Sequence, residues 1–312
     1  MTKILVTGNM DWVETITTML RRARFDAMMW KPRAETVPWV IRWCRPLRWM
    51  AHLFSDPFRS ARVIHMVGGT GSSVFLRIAR FLGKRIILHW VGTDVLGLRE
   101  EVSKGNRRRL KAFAALEAVH FADSPEIAAE LGEVGVKAEV FRVLPDSIVP
   151  RDLPMPPKPA VLSYWSRDRR AFYGGDIVGA LAKEFPEVVF YVVGTLGTSE
   201  PQHPNVKYLG RLDSLEELYG EISILIRVPK HDSLSVMVLE ALARGRWVIY
   251  SKLFPHTELA KTLDEARAAL RKCLAKSGWN EAGRQYVRDH FCPQAEALRI
   301  GPIYRRVLDQ ER

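Results

Sequence analysis

The sequence predicts an α/β chain built from two open, doubly wound parallel sheets. Three observations carry this. Apolar runs of strand length alternate with stretches of helical period along the whole chain. The alternation pauses in a stiff segment holding Pro145, Pro150, Pro154, Pro156, Pro157 and Pro159, then restarts. The 312 residues also suit two domains of ordinary size. The predicted first domain is 1–150 and the second 151–295, with a terminal helical piece over 296–312. Two such sheets put a ligand most naturally in a cleft that both face.

Each element has its own signal. Residues 4–7 are strand-like, 11–22 helical and 25–30 a second strand. Residues 63–67, 72–82 and 85–91 read as strand, helix and strand. Residues 118–121 form a further strand, Ser124 caps a helix with Pro125 at its first position, and 139–143 complete the half. The second half opens on 160–164, with a helix over 175–185 and then the stretches 188–193, 206–209, 216–219 and 222–228. Helices follow over 257–275 and 281–290. The last piece starts at Gln294 and is expected to break at Gly301-Pro302. No short-period repeat points to a solenoid.

The net charge of +12 is uneven, with 23 Lys+Arg against 15 Asp+Glu in residues 1–150. Such an excess favours anionic partners without choosing among nucleotides, phospholipids and nucleic acid. Cys44, Cys273 and Cys292 are widely spaced and odd in number, neither a disulfide framework nor a zinc pattern. That predicts a reducing, cytoplasmic setting. The first residues run straight into a strand, which leaves no room for a signal peptide, and no apolar run would span a membrane.

The most informative stretch is 230–251. Asp232, Ser233 and Ser235 are helix-capping types, and Val236, Leu239, Leu242 and Ala243 recur at helical spacing until Gly245. A helix start of this kind offers free backbone N–H groups, here around Leu234, to an anion. Its dipole contributes only about 1 kcal/mol, whereas micromolar binding needs about 8 kcal/mol. Cations must therefore join, and Lys230 and Arg167 are the candidates. Glu240 lies two turns in among apolar neighbours, so its carboxylate needs a donor. A ribose diol would supply one; pairing with Arg244 four residues on is the plainer alternative.

The pattern Asp232, seven residues, Glu240, then Ala241-Leu242-Ala243-Arg244-Gly245 and a strand resembles the signature of the retaining GT-B glycosyltransferases of the family 4 group. The resemblance covers nearly the whole chain and implies two Rossmann-like domains facing a cleft, the last helix returning to the first domain. It implies that Glu240 holds the donor ribose, Asp232 the transferred sugar, and Ser233, Leu234 and Ser235 the diphosphate. Asp stands for the usual first Glu, and Ser for the usual Gly. Arg167 falls on the family's phosphate arginine, while Tyr173 stands at the lysine position; Lys230, Arg169 or Arg170 would compensate. Gly194 and Thr195 resemble the loop beneath the base, and Leu209 the segment that reads it. In the first domain Gly69 marks a tight turn on the acceptor side. Val91 occupies the family's histidine position, with His89 two residues earlier on the same side of the strand and Asp94 as a further polar candidate. The catalytic set this implies is Asp232, His89, Arg167 and Lys230.

Between these signals lies WVIRWCRPLRWMAHLF. Arg42, Arg45 and Arg48 share one helical face, with Trp39 and Trp43 on the opposite one. This predicts either in-plane contact with an anionic membrane or a domain helix with its aromatic face in the core. No Asp-x-Asp pair, His-Glu-x-x-His, Gly-x-Ser-x-Gly or Walker loop is present, so no metal or other cofactor is expected. The predicted activity is transfer of a sugar, with retention, from a nucleotide-diphosphate sugar to a glycan or lipid-linked acceptor. The alternative is a GT-B-shaped protein that binds a nucleotide or glycan without turnover. The predicted location is cytoplasmic, with peripheral attachment to the inner face of the membrane; no nucleic-acid partner is expected.

Overall fold

A computed structural model describes residues 3–30, 55–68, 74–198 and 200–309. Trp39, Arg42, Trp43, Arg45, Arg48 and Gly69 lie outside the described residues. The chain forms two compact units, Met1–Pro145 with Pro293–Arg312, and Asp146–Cys292. Each unit holds one six-stranded sheet in which every described pairing is parallel. The α/β class with two Rossmann-like sheets is the observed one.

In the first unit the strand order is β2-β1-β3-β4-β5-β6. The strands are β1 (Lys3–Gly8), β2 (Asp26–Met29), β3 (Val63–Val67), β4 (Arg85–Trp90), β5 (Val119–Ala122) and β6 (Ala138–Val140). Alternation along β1 sends Ile4 and Val6 to one face and Leu5 to the other. Ile4 and Val6 pack with Val13, Ile16 and Leu20 of the helix Met10–Arg22. The helix Pro293–Asp309 adds Ile300, Tyr304 and Val307 to the same cluster. Leu5 joins the opposite layer with Leu76, Leu98, Phe113 and Leu131. Chain direction across the sheet reverses between β1 and β3. There Gly8 has φ +115°, and a Cβ on it would lie 2.1 Å from the Val67 carbonyl oxygen, so only glycine permits this approach.

The second unit has the order β12-β11-β10-β7-β8-β9. These are β7 (Ala160–Tyr164), β8 (Val189–Val193), β9 (Val206–Gly210), β10 (Ile224–Arg227), β11 (Trp247–Tyr250) and β12 (Glu258–Leu259). Its reversal falls between β7 and β10, the position at which open α/β sheets carry their ligands. The proline-rich segment is fastened to this unit by Arg246, which is fully buried. Its guanidinium donates to the carbonyls of Tyr219 (2.8 Å), Leu153 (3.2 Å) and Pro154 (2.9 Å).

Two helical expectations need correction. The helix expected over 257–275 begins only at Leu263, because Thr262 and Glu265 form a capping box and Glu258–Leu259 is drawn onto the sheet edge as β12. The break expected at Gly301-Pro302 does not occur: the helix Pro293–Asp309 runs through Pro302. Its buried stripe of Ala297, Ile300, Ile303 and Tyr304 continues on both sides of the proline, and that packing outweighs the lost hydrogen bond. The helices Asp94–Ser103 and Arg108–Leu116 were not foreseen. Among the described residues no helix is long and apolar enough to cross a membrane.

Candidate functional site

Polar side chains collect at the reversal of strand order in the second unit. Gly174, at φ +77°, lets Val228 approach so closely that a Cβ would meet its carbonyl oxygen at 2.5 Å. The Lys230 amide donates to the Phe172 carbonyl (2.8 Å), which laces the two loops together. Arg227 ends β10, and its guanidinium forks onto Asp232, Nε to Oδ2 at 2.9 Å and Nη2 to Oδ1 at 3.2 Å. The Tyr250 hydroxyl donates to Oδ2 at 3.2 Å. The guanidinium carbon of Arg227 also lies 5.4 Å from the Tyr164 ring centre and 5.3 Å from that of Tyr173. Asp232 is thus held from two strands, with three of its roughly four acceptor positions used.

Tyr173, at the position expected to hold lysine, is met by two cations. Arg227 is one. Arg169 is the other, with its guanidinium 5.6 Å from the Tyr173 ring and 4.1 Å from Phe172. Positive charge is therefore present where the lysine is absent. Arg170 is turned elsewhere, to Asp176 and Glu200. Arg167 opens the 3-10 turn Arg167–Arg169. The ammonium of Lys230, an exposed residue, has no partner among the described residues.

Ser235 is the N-cap of the helix Val236–Ala243, yet its hydroxyl makes no capping bond. The backbone N–H groups of Leu234, Ser235, Val236 and Met237 make no hydrogen bond among the described residues. Lys252 Nζ binds the carbonyls of Asp232 (3.1 Å) and Ser233 (3.2 Å), which engages the acceptors of this turn and leaves its donors available. The consequence is a ready-made anion cradle.

Glu240 lies two turns on. Its carboxylate accepts from the Tyr219 hydroxyl (2.9 Å) and from the Ser147 side chain, and burial raises its pKa against these bonds. Arg244 passes it by, binding its backbone carbonyl at 3.0 Å and forming an ion pair with Glu216. Ser147 and Tyr219 were invisible in the sequence, being 93 and 21 residues from Glu240. The third missed residue, Arg227, ends the apolar strand ILIR and reads there as an ordinary boundary charge.

Gly194 and Thr195 leave β8 beside β9. The Gly194 amide binds the Gly210 carbonyl and the Gly210 amide the Thr195 carbonyl, at 2.8 and 2.9 Å, which places Leu209 next to this junction. A Cβ on Gly194 would meet the Trp165 carbonyl oxygen at 2.6 Å.

The first-domain candidates are occupied by protein. His89 is fully buried; its Nε2 donates to the Phe141 carbonyl (3.1 Å). Nδ1 must then accept from His65 Nε2 (3.1 Å), and His65 Nδ1 from the Tyr304 hydroxyl. This relay uses both nitrogens of His89 and leaves it no face for a substrate. The Asp94 carboxylate accepts the amides of Val91, Gly92 and Val95 at 3.0 to 3.3 Å, closing the turn that starts its own helix.

No family model and no curated protein matches the sequence. Among solved structures, the chain is similar to sucrose-phosphate synthase from Thermosynechococcus elongatus (TM-score 0.77, 16% identity, all of both chains). It is also similar to HepE of Anabaena solved with UDP and glucose (TM-score 0.71, 12% identity, 98% of this chain and 99% of that one). A third is a glycosyltransferase from Rickettsia africae (TM-score 0.67, 14% identity, 99% of each chain). The chain therefore has the two-domain, Rossmann-like α/β fold that these structures share.

Proposed function

We propose that this protein transfers a glycosyl group from a nucleoside-diphosphate sugar, a uridine one foremost, to a hydroxyl of a glycan or lipid-linked acceptor. The observation that carries the reading is the run of unpartnered amides from Leu234 to Met237, at the sheet reversal and on the helix bearing Glu240. A structure of the same fold, HepE, was solved with UDP and glucose, and the pneumococcal O-GlcNAc transferase GtfA with UDP and GlcNAc.

In this reading the amides, Ser233, Ser235, Lys230, Arg167 and Arg169 receive the diphosphate. Glu240 takes the ribose diol, with Tyr219 and Ser147 holding its carboxylate in place. Asp232 meets a sugar hydroxyl through its remaining acceptor position, its orientation set by Arg227. Gly194, Thr195 and Leu209 flank the base. The bond from the anomeric carbon to the phosphate oxygen breaks while the acceptor oxygen bonds that carbon from the same face. The acceptor proton passes to the departing phosphate oxygen, and configuration is retained. Charge on the leaving group is met by protein cations and amides, without a metal.

Calorimetry tests the reading. UDP should bind in preference to ADP and GDP, and Glu240→Ala should weaken it at least tenfold, since hydrogen bonds to a charged acceptor contribute about 1.5–3 kcal/mol each. An unchanged dissociation constant in the variant would remove the ribose role, and no nucleotide binding at all would remove the donor site.

A further inference from the structure

The first unit carries an outward feature at the end of its sheet where the strands begin, opposite their carboxyl ends. The helix Val74–Phe81 leads into β4 through Phe81, Leu82, Gly83 and Lys84. Phe81 is 89% exposed and Leu82 55%. Val74, 68% exposed, lies two turns before Phe81 on the same helical stripe, with Arg77 between them.

Cations bracket this apolar tip. Phe81 lines a hollow with Arg77, Arg80, Arg108 and Lys111, and Leu82 lines another with Arg59, Arg62 and Arg85. Two acids stand nearby: Glu117 pairs with Arg80, and Asp309 lines the second hollow. Arg59, Arg62, Arg77, Arg108 and Lys111 form no ion pair among the described residues. A merely solvated basic face would end in polar side chains. This one ends in adjacent phenyl and isobutyl groups, and the like charges around them repel until an anion surface meets them.

We propose that this end of the sheet docks on an anionic lipid surface, with Phe81 and Leu82 entering the interfacial layer and the surrounding arginines lying at headgroup phosphates. The pairing of apolar tip and basic rim is what such an interface rewards. Nucleic acid is the lesser fit, because a duplex presents phosphates but no apolar layer to cover Leu82 and Val74. Docking here leaves the carboxyl ends of the strands free. The proposal stands whether or not the donor reading holds.

The test is flotation of the full chain with phosphatidylcholine vesicles and with vesicles holding about one third phosphatidylglycerol. Binding is expected to the anionic vesicles alone and to fade at about 0.5 M salt, where charges are screened within a few ångströms. Replacing Arg77, Arg108 and Lys111 by Ser should lower the partition constant about fivefold per cation, about a hundredfold in all. Phe81→Ser with Leu82→Ser should lower it at constant charge, with the circular dichroism melt and UDP affinity unchanged. The proposal is overturned by absence of binding to anionic vesicles or by binding that ignores both sets of substitutions. It is equally overturned if duplex DNA binds as tightly and the serine pair has no effect.

Discussion

Mild acid should destabilise the first unit through its buried histidines. His89 is buried and neutral, with its pKa pushed down to about 3 by burial. His120, whose Nδ1 accepts from the Trp90 indole at 3.1 Å, is pushed down to about 4, again by burial. His65 is driven down by burial and by its neighbour His89. In the unfolded chain each titrates near 6.5. Between that value and the depressed folded one, the unfolded state binds the extra proton, so stability is full above about pH 7 and falls as pH falls. At pH 5 a histidine with a folded pKa well below 5 loses about 2 kcal/mol, since the unfolded form is favoured about thirtyfold by protonation. His89 and His120 together give about 4 kcal/mol, and His65 adds in the same direction. Against a typical domain stability of about 5–15 kcal/mol this is a large share. The assay is urea unfolding at pH 8, 6.5 and 5, read by tryptophan fluorescence and far-UV circular dichroism. A midpoint that stays level from pH 6.5 to 5 would refute the neutral relay from Tyr304 through His65 and His89 to Phe141.

Two other outcomes follow from the second unit. Arg246→Met should leave the carbonyls of Tyr219, Leu153 and Pro154 unsatisfied and cost about 3 kcal/mol, with limited proteolysis now cutting within residues 151–157. Chelation by EDTA should leave glycosyl transfer at its initial rate once a donor and acceptor are in hand; a loss restored by a divalent cation would show that the protein cations do not suffice.

The sequence was legible where a function lay along one contiguous stretch. The helix start at Ser235 and its stop at Gly245 could be placed because capping residues and apolar period sit side by side. What could not be read was any partner brought from afar. Glu240 needed a donor, but that Tyr219 and Ser147 supply it emerges only when the helix Glu216–Glu221 and the turn Asp146–Ile148 pack beside it. Arg227 and Asp232 are five residues apart, yet their pairing depends on a strand end and a loop meeting at the reversal of strand order. His89 shows the converse. Its position on the strand was read correctly, but facing one way along a strand says nothing about what fills the space there, and here Phe141, His65 and Tyr304 do.

The return of residues 293–309 to the first sheet has a bearing on biosynthesis. The second unit is one continuous stretch and can complete itself as it leaves the ribosome. The first cannot: until its final helix has been made, Ile4, Val6, Phe121 and His65 lack the cover that Ile300, Tyr304 and Val307 provide. A nascent chain stalled near residue 292 would thus present a greasy sheet face to chaperones, and its rescue would wait on the synthesis of residues 293–309.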